Sequence, residues 1–260
     1  MRIGLTTGPL PHHKFFIQRF YEEFGEDLIC CINQRRPKSF KKRNFKEKTI
    51  HSFLHLSDWN ATQSYFLNRK YRHIYKQLLE QINFPDYIEH EVDDINSYEA
   101  EEILKNSNVD ILVVFGGGII NEQMLVLPKL EAYTLHLGWC PDYKGSHCLH
   151  WAIHNEDYNK LGISILTLRK QIDSGEIVLR KKIDLTNIND EYDLTLNAQK
   201  LAIEEMIKVI RNLNKTGKLP ITKKQTGKGK IFYASDYTPK IKGMVRRRMK
   251  SLIRKNQNSS

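Results

Sequence analysis

The 260-residue chain contains no run of eighteen apolar residues, so no segment is built to cross a membrane as a helix. Cysteine is scarce. Cys30, Cys31, Cys140 and Cys148 are the only four, and none falls in a Cys-x-x-Cys pair. The opening stretch, MRIGLTTGP, is too short and too quickly broken for a secretory leader. Together these features predict reduced thiols and a cytoplasmic protein. A Gly-x-Gly-x-x-Gly fingerprint is also missing, so the three glycines at 116–118 argue only weakly for a dinucleotide. No internal repeat stands out. Acids stop at Asp236, and nothing acidic follows it.

What is present is enough apolar residue to build a core: 40% of the chain is hydrophobic and 27% charged, as in an ordinary globular protein. The length suits one large α/β domain, or one domain with an appendage. The net charge is +11 and unevenly placed. Lys240, Lys242, Arg246, Arg247, Arg248, Lys250, Arg254 and Lys255 crowd the end, and a second basic cluster runs from Arg35 to Lys48. Such fields attract phosphates, nucleic acid or an anionic membrane, and a merely solvated surface is an equally good reading. In the tail, Ile241, Met244, Val245, Met249, Leu252 and Ile253 recur at three- and four-residue steps among these cations. That pattern predicts a basic amphipathic helix able to lie on an anionic bilayer. No aromatic follows Tyr237 for bases to stack on, so nucleic acid is not the expected partner.

Along the chain, RIGLTTG reads as a strand, HKFFIQRFYEEF as a helix and EDLICCIN as a second buried strand. Residues 35–60 read as an irregular basic loop. Helices are expected over 61–82, 98–107 and 196–213. VDILVVFGGGII is the clearest strand, EAYTLHLG is another, and residues 161–185 form a hairpin pattern around a polar turn. Strands alternating with helices, several apolar throughout, predict a mostly parallel sheet with helices on both faces. In such sheets ligands bind at the carboxyl ends of the strands, which here are FGGG and TLHLGW.

Three pieces then stand in order: VVFGGGII, TLHLGWCPDYKG…HWAI, and LGISILTLRKQIDSGEI. Over roughly residues 108–185 this set resembles the folate-dependent formyltransferases, and within them the sugar N-formyltransferase branch. His136 falls on the family histidine. Pro141, Tyr143, Lys144 and Gly145 fall on its Pro-x-Tyr-Arg-Gly loop, Trp151-Ala-Ile on its helix, Gly162-Ile-Ser on its next strand, and Asp173-Ser-Gly on its aspartate turn. The family asparagine is replaced by Thr134, whose hydroxyl offers one donor on a shorter arm where a carboxamide offers two.

The resemblance implies a Rossmann-like α/β formyltransferase fold and transfer of a formyl group from 10-formyltetrahydrofolate to a primary amine. The most fitting acceptor is an amino-deoxy sugar linked to a nucleotide, as in lipopolysaccharide biosynthesis. His136 would take the amine's proton or protonate the leaving nitrogen, Asp173 would orient it, and Thr134 with backbone N–H groups would polarise the formyl oxygen. The resemblance also assigns the pterin to Gly116, Gly117, Gly118 and Ile120, with Leu168 and Lys170 as the other wall. Lys14, Tyr143, Lys144 and Gly145 are candidates for the acceptor. The expected division is a catalytic domain over 1–186, a helical extension over 187–236, and a basic tail over 237–260, disordered or amphipathic. His147, His150 and His154 share a helix face without an accompanying acid, so a metal site is the weaker reading. The rivals are a formyltetrahydrofolate hydrolase, a methionyl-tRNA or glycinamide-ribonucleotide formyltransferase, and a catalytically impaired binding protein on the same fold.

Overall fold

The computed structural model describes residues 1–35, residues 71, 73, 74, 76 and 77, and residues 85–257. The basic cluster beyond Arg35 and most of the helix expected over 61–82 lie outside them. The described residues of that span are helical.

Seven strands form one sheet: β1 (Ile3–Thr7), β2 (Leu28–Gln34), β3 (Glu89–Val92), β4 (Ile111–Phe115), β5 (Glu131–His136), β7 (Gly162–Thr167) and β8 (Ile177–Lys182). Their order is β3-β2-β1-β4-β5-β7-β8. The first five positions pair in parallel, whereas β5–β7 and β7–β8 are antiparallel. The expected hairpin over 161–185 is therefore the β7–β8 edge. Every residue of β1, β4 and β7 is buried. Their sequences are largely apolar without alternation, and Thr6, Thr7, Ser164 and Thr167 are buried with the rest, because both sheet faces are covered.

Helices α1 (Pro11–Phe24), α4 (Cys148–His154), α5 (Glu191–Thr216) and α6 (Pro239–Gln257) contribute to the apolar cluster on one face. Helix α2 (Tyr98–Ser107) and the short α3 (Glu122–Leu125) close the other. Local chemistry sets the helix ends. The Ser97 hydroxyl accepts from Ala100 N at 3.2 Å to start α2, and Asp190 accepts from Tyr192 N and Asp193 N to start α5. Gly217 at φ +66 stops α5. Along α5, Leu194, Ala198, Ala202, Met206, Ile210 and Leu213 recur at helical spacing and are buried.

Two features of the C-terminal third differ from the expectation. Past Gly217 the chain is not helical but extended, and it forms β9 (Lys230–Phe232), which pairs in parallel with β6 (Tyr143–Gly145). The tail is the helix α6, and its apolar side is already occupied. Val245, Met249 and Leu252 are buried in the main cluster, with α6 packed on α4. Arg246, 4% exposed, pairs with Glu191 at the start of α5, Nε to Oε1 2.6 Å. The face expected to enter a bilayer thus lies against the protein, and Lys240, Arg247, Lys250, Arg254 and Lys255 remain exposed.

Candidate active site

The chain leaves β1 for β2 on one side and returns as β4 on the other, so the ends of β1 and β4 flank a crevice. Thr7 Oγ1 donates to Phe115 O at 2.7 Å and ties those ends together. Beyond Phe115, Gly116 and Gly117 take φ +74 and +84, which L side chains rarely adopt. A Cβ on Gly116 would also stand 2.3 Å from His13 Nε2. The backbone of 116–118 consequently lies bare and exposed at the strand end.

His136 is the last residue of β5, and Thr134 lies two positions before it on the same sheet face. The buried His136 ring is held at both nitrogens. Nδ1 is 3.2 Å from Asp173 Oδ2, and Nε2 is 2.9 Å from the Tyr143 carbonyl. Both partners accept, so the arrangement suits a ring protonated on both nitrogens. Burial opposes that charge, but the Asp173 carboxylate, with smaller contributions from the Cys140 and Cys148 thiols, outweighs it. The His136 pKa lies well above its ordinary 6.5. Asp173 itself sits at φ +45, and its Oδ2 also accepts from Gly145 N at 2.7 Å.

Two cavities meet at this ring. The larger, about 420 Å³, has Gly116, Gly117, Gly118 and Ile120 on one wall, Leu168 and Lys170 on the other, and Thr134, His136 and Asp173 at its base. Nine residues singled out in the sequence for catalysis or for the pterin are therefore brought together around one space. Ion pairs brace its rim: Arg169 bonds Glu131 through both guanidinium nitrogens at 2.9 and 3.0 Å, and Lys170 reaches Glu122 at 3.0 Å. The smaller cavity, about 280 Å³, shares Gly116, Leu135, His136, Gly145 and Ser146 with the first. Its remaining lining includes His12 and His13 from α1, His147 and His150 around the start of α4, and Thr195 and Gln199 from α5. Burial lowers the pKa of all four histidines, with neighbouring groups adding to it for His12, His147 and His150, to about 3 for His12, about 4 for His13 and about 3 for His150. Apart from the shared His136, the histidines of this polar cavity favour the neutral form.

The acceptor candidates fare unevenly. Gly145 lines both cavities. Lys14 is exposed on α1 and lines neither. Tyr143 offers its carbonyl to His136, but its buried phenol points away, donating to Asp157 at 3.2 Å and accepting from Asn155 at 3.2 Å. Lys144 pairs with Ile231 across β6–β9 and lines neither cavity. The three histidines considered for a metal do not converge. His147 stacks on Tyr237 at 4.4 Å, His154 lies edge-on to Trp151 and bonds Asn155, and no group of three ligating side chains among the described residues is placed to hold an ion. Sequence reasoning missed Phe232, Tyr233 and Ala234, which reach the larger cavity from the far end of the chain; His12 and His13 line the smaller one.

The formyl transferase family model matches residues 64–210, more than half of the chain. The chain belongs to the formyl transferase family. Among curated relatives, a methionyl-tRNA formyltransferase from Thermotoga maritima is 28% identical over 149 residues, which is 57% of this chain and 45% of that protein. One from Sulfurihydrogenibium sp. is 31% identical over 140 residues, 54% of this chain and 44% of the relative. The aligned region thus spans less than half the length of these relatives. Solved formyltransferase structures share the fold over nearly the whole chain. A 4-N formyltransferase from Francisella tularensis superposes with TM-score 0.57 at 14% identity, covering 95% of this chain and 87% of that one. An N-formyltransferase from Helicobacter canadensis, complexed with folinic acid and dTDP-3-aminofucose, gives 0.54 at 16% identity, with 95% and 80% covered.

Proposed function

We propose that this protein transfers a formyl group from 10-formyltetrahydrofolate to a primary amine carried by a nucleotide-linked amino-deoxy sugar. The observation that carries the reading is the meeting of two cavities at the buried His136, whose Nδ1 lies 3.2 Å from Asp173 Oδ2. One cavity suits the formyl donor and the other an amine acceptor, so the two reactants would approach the ring from opposite sides.

The larger cavity fits a reduced folate by its chemistry. A bare glycine backbone offers N–H and C=O groups edge-on to a flat heterocycle, and Ile120 and Leu168 supply apolar walls. Bound there, 10-formyltetrahydrofolate supplies the formyl carbon. Thr134 and His136 line the same space and offer donors for charge developing on the formyl oxygen. Asp173 keeps the His136 ring oriented and charged, and the ring's proton at Nε2 rests on the Tyr143 carbonyl until a reacting group replaces that acceptor. The acceptor amine must be neutral to attack. The smaller cavity has no carboxylate in its lining and so gives no ion pair that would hold an ammonium. The structural relative complexed with a dTDP-linked aminosugar supports this class of acceptor.

A second reading, methionyl-tRNA as acceptor, is favoured by the names of the curated relatives. The aligned region spans under half of each of those relatives, so their acceptor is not carried over with it. Presenting dTDP- and UDP-linked aminosugars and charged initiator tRNA in parallel, with formyl-folate and a readout of tetrahydrofolate release, separates the two. The reading also places the protein in the cytoplasm. Any contact with an anionic surface would fall to the exposed outer side of α6, and no helix among the described residues is long and apolar enough to cross a membrane.

A further inference from the structure

The segment after α5 does more than return the chain to α6. At its start, Lys223 exchanges both backbone hydrogen bonds with Ile177, at 2.8 and 2.9 Å, and the Thr222 hydroxyl donates to Glu176. These bonds fix it beside the turn that carries Asp173. At its end, β9 pairs with β6, and Ser146 N donates to Phe232 O at 2.8 Å. That fixes it to the loop whose Gly145 N–H holds the Asp173 carboxylate. Gly145, at φ +87, would put a Cβ 2.2 Å from Phe232 O, so this pairing needs glycine there.

Between the two attachments lies Gln225. Its amide nitrogen donates to Asp173 O and to Gly175 O, both at 2.7 Å. Two carbonyls can be met only by the NH₂ end of a carboxamide, so the side chain's orientation is forced. Its oxygen is left buried without a hydrogen-bond partner, which destabilises the arrangement unless the two donated bonds outweigh it. The turn it grips is itself strained. Asp173 holds a left-handed conformation, at φ +45, that a residue with a Cβ disfavours, and such conformations persist only where surrounding contacts over-determine them.

We propose that Gln225 is a positioning residue for the proton-transfer pair, holding the strained Asp173 turn so that its carboxylate faces His136. The proposal rests on the catalytic reading of that pair. Gln225 lies beyond the residues 64–210 that the family model matches. Asp173 has two other ties, to Gly145 and to His136, but both act on its carboxylate. Gln225 acts on the backbone, and therefore on the direction in which the carboxylate points.

The test uses the full chain with Gln225→Glu, which keeps the size but replaces two donations by repulsion. NMR titration of the His136 imidazole needs no substrate. Release of Asp173 lowers its midpoint by about 1 unit or more. In turnover, kcat falls about 10–100-fold with little change in either KM, and the pH profile moves by the same amount as the titration. Should Gln225→Glu fail to fold, Gln225→Met provides the same measurement. A variant with lowered Tm but unmoved His136 titration and pH profile overturns the proposal, because that is the signature of a merely structural strap. If the parent enzyme transfers no formyl group, the functional reading falls, and the titration still decides whether Gln225 positions the pair.

Discussion

Replacing Arg246 by methionine tests whether the basic tail is part of the folded core. The guanidinium is 4% exposed and Glu191, its partner at 2.6 Å, is 7% exposed. Methionine keeps an apolar stem but strands the carboxylate in the α5–α6 interface. Breaking a buried pair from one side costs roughly 3–5 kcal/mol. Glu191 lies in the first turn of α5, where the helix dipole favours an anion by about 0.3–1 kcal/mol, so the loss should sit nearer 3 than 5. Unfolding entropy of about 2.1 cal/mol/K per residue amounts to ~0.55 kcal/mol/K over this chain, and Tm falls by about 5–7 °C. The double variant Glu191→Leu with Arg246→Met recovers most of that loss, since neither charge is then left unpaired. Scanning calorimetry reads both. If Arg246→Met melts within about 1 °C of the parent, α6 is not docked in solution, and the apolar residues Val245, Met249 and Leu252 are free for a bilayer after all.

Asp173→Asn removes the main influence that raises the His136 pKa. A raised folded value stabilises the protein fully below about 6.5, and the contribution fades as pH climbs through the folded pKa. Urea midpoints of the parent should therefore drop across that window while those of the variant stay flat, and a parallel decline in both would contradict the pairing. Thr134→Asn supplies the two-donor carboxamide on the strand that already faces the cavity, and should hold or raise kcat, by up to about 10²-fold. A collapse in kcat with unchanged Tm would show that the hydroxyl itself is required.

The sheet was legible because β4 is an unbroken apolar run and β1 and β7 are largely apolar, and a run buried on both faces needs no knowledge of its neighbours. The aspartate turn, the glycine run and the strand-end histidine were legible as an ordered set, since each lies close in sequence to the strand that carries it. What was not legible depends on partners distant in the chain. Gln225 carries no motif, and its role exists only because the strap passes the Asp173 turn. Phe232 and Tyr233 reach the cavity through a three-residue strand too short to show a period. The tail's helical pattern was readable, but amphipathicity alone does not say what covers the apolar side. Here α4 covers it. Tyr143 was misplaced for a related reason: the loop motif fixes its position but not its direction, and Asn155 and Asp157 draw the phenol away from the cavity.

The central claim is that His136 serves formyl transfer to an amine. A tetrahydrofolate-release assay with 10-formyltetrahydrofolate, run with and without dTDP- and UDP-linked aminosugars, tests it most directly when parent and His136→Asn are compared. Release by the parent is expected only when an aminosugar nucleotide is present. A folded His136→Asn is expected to lose more than tenfold in kcat/KM, a barrier increase of at least ~1.4 kcal/mol. Release without any amine, or a His136→Asn enzyme within tenfold of the parent, would contradict the claim.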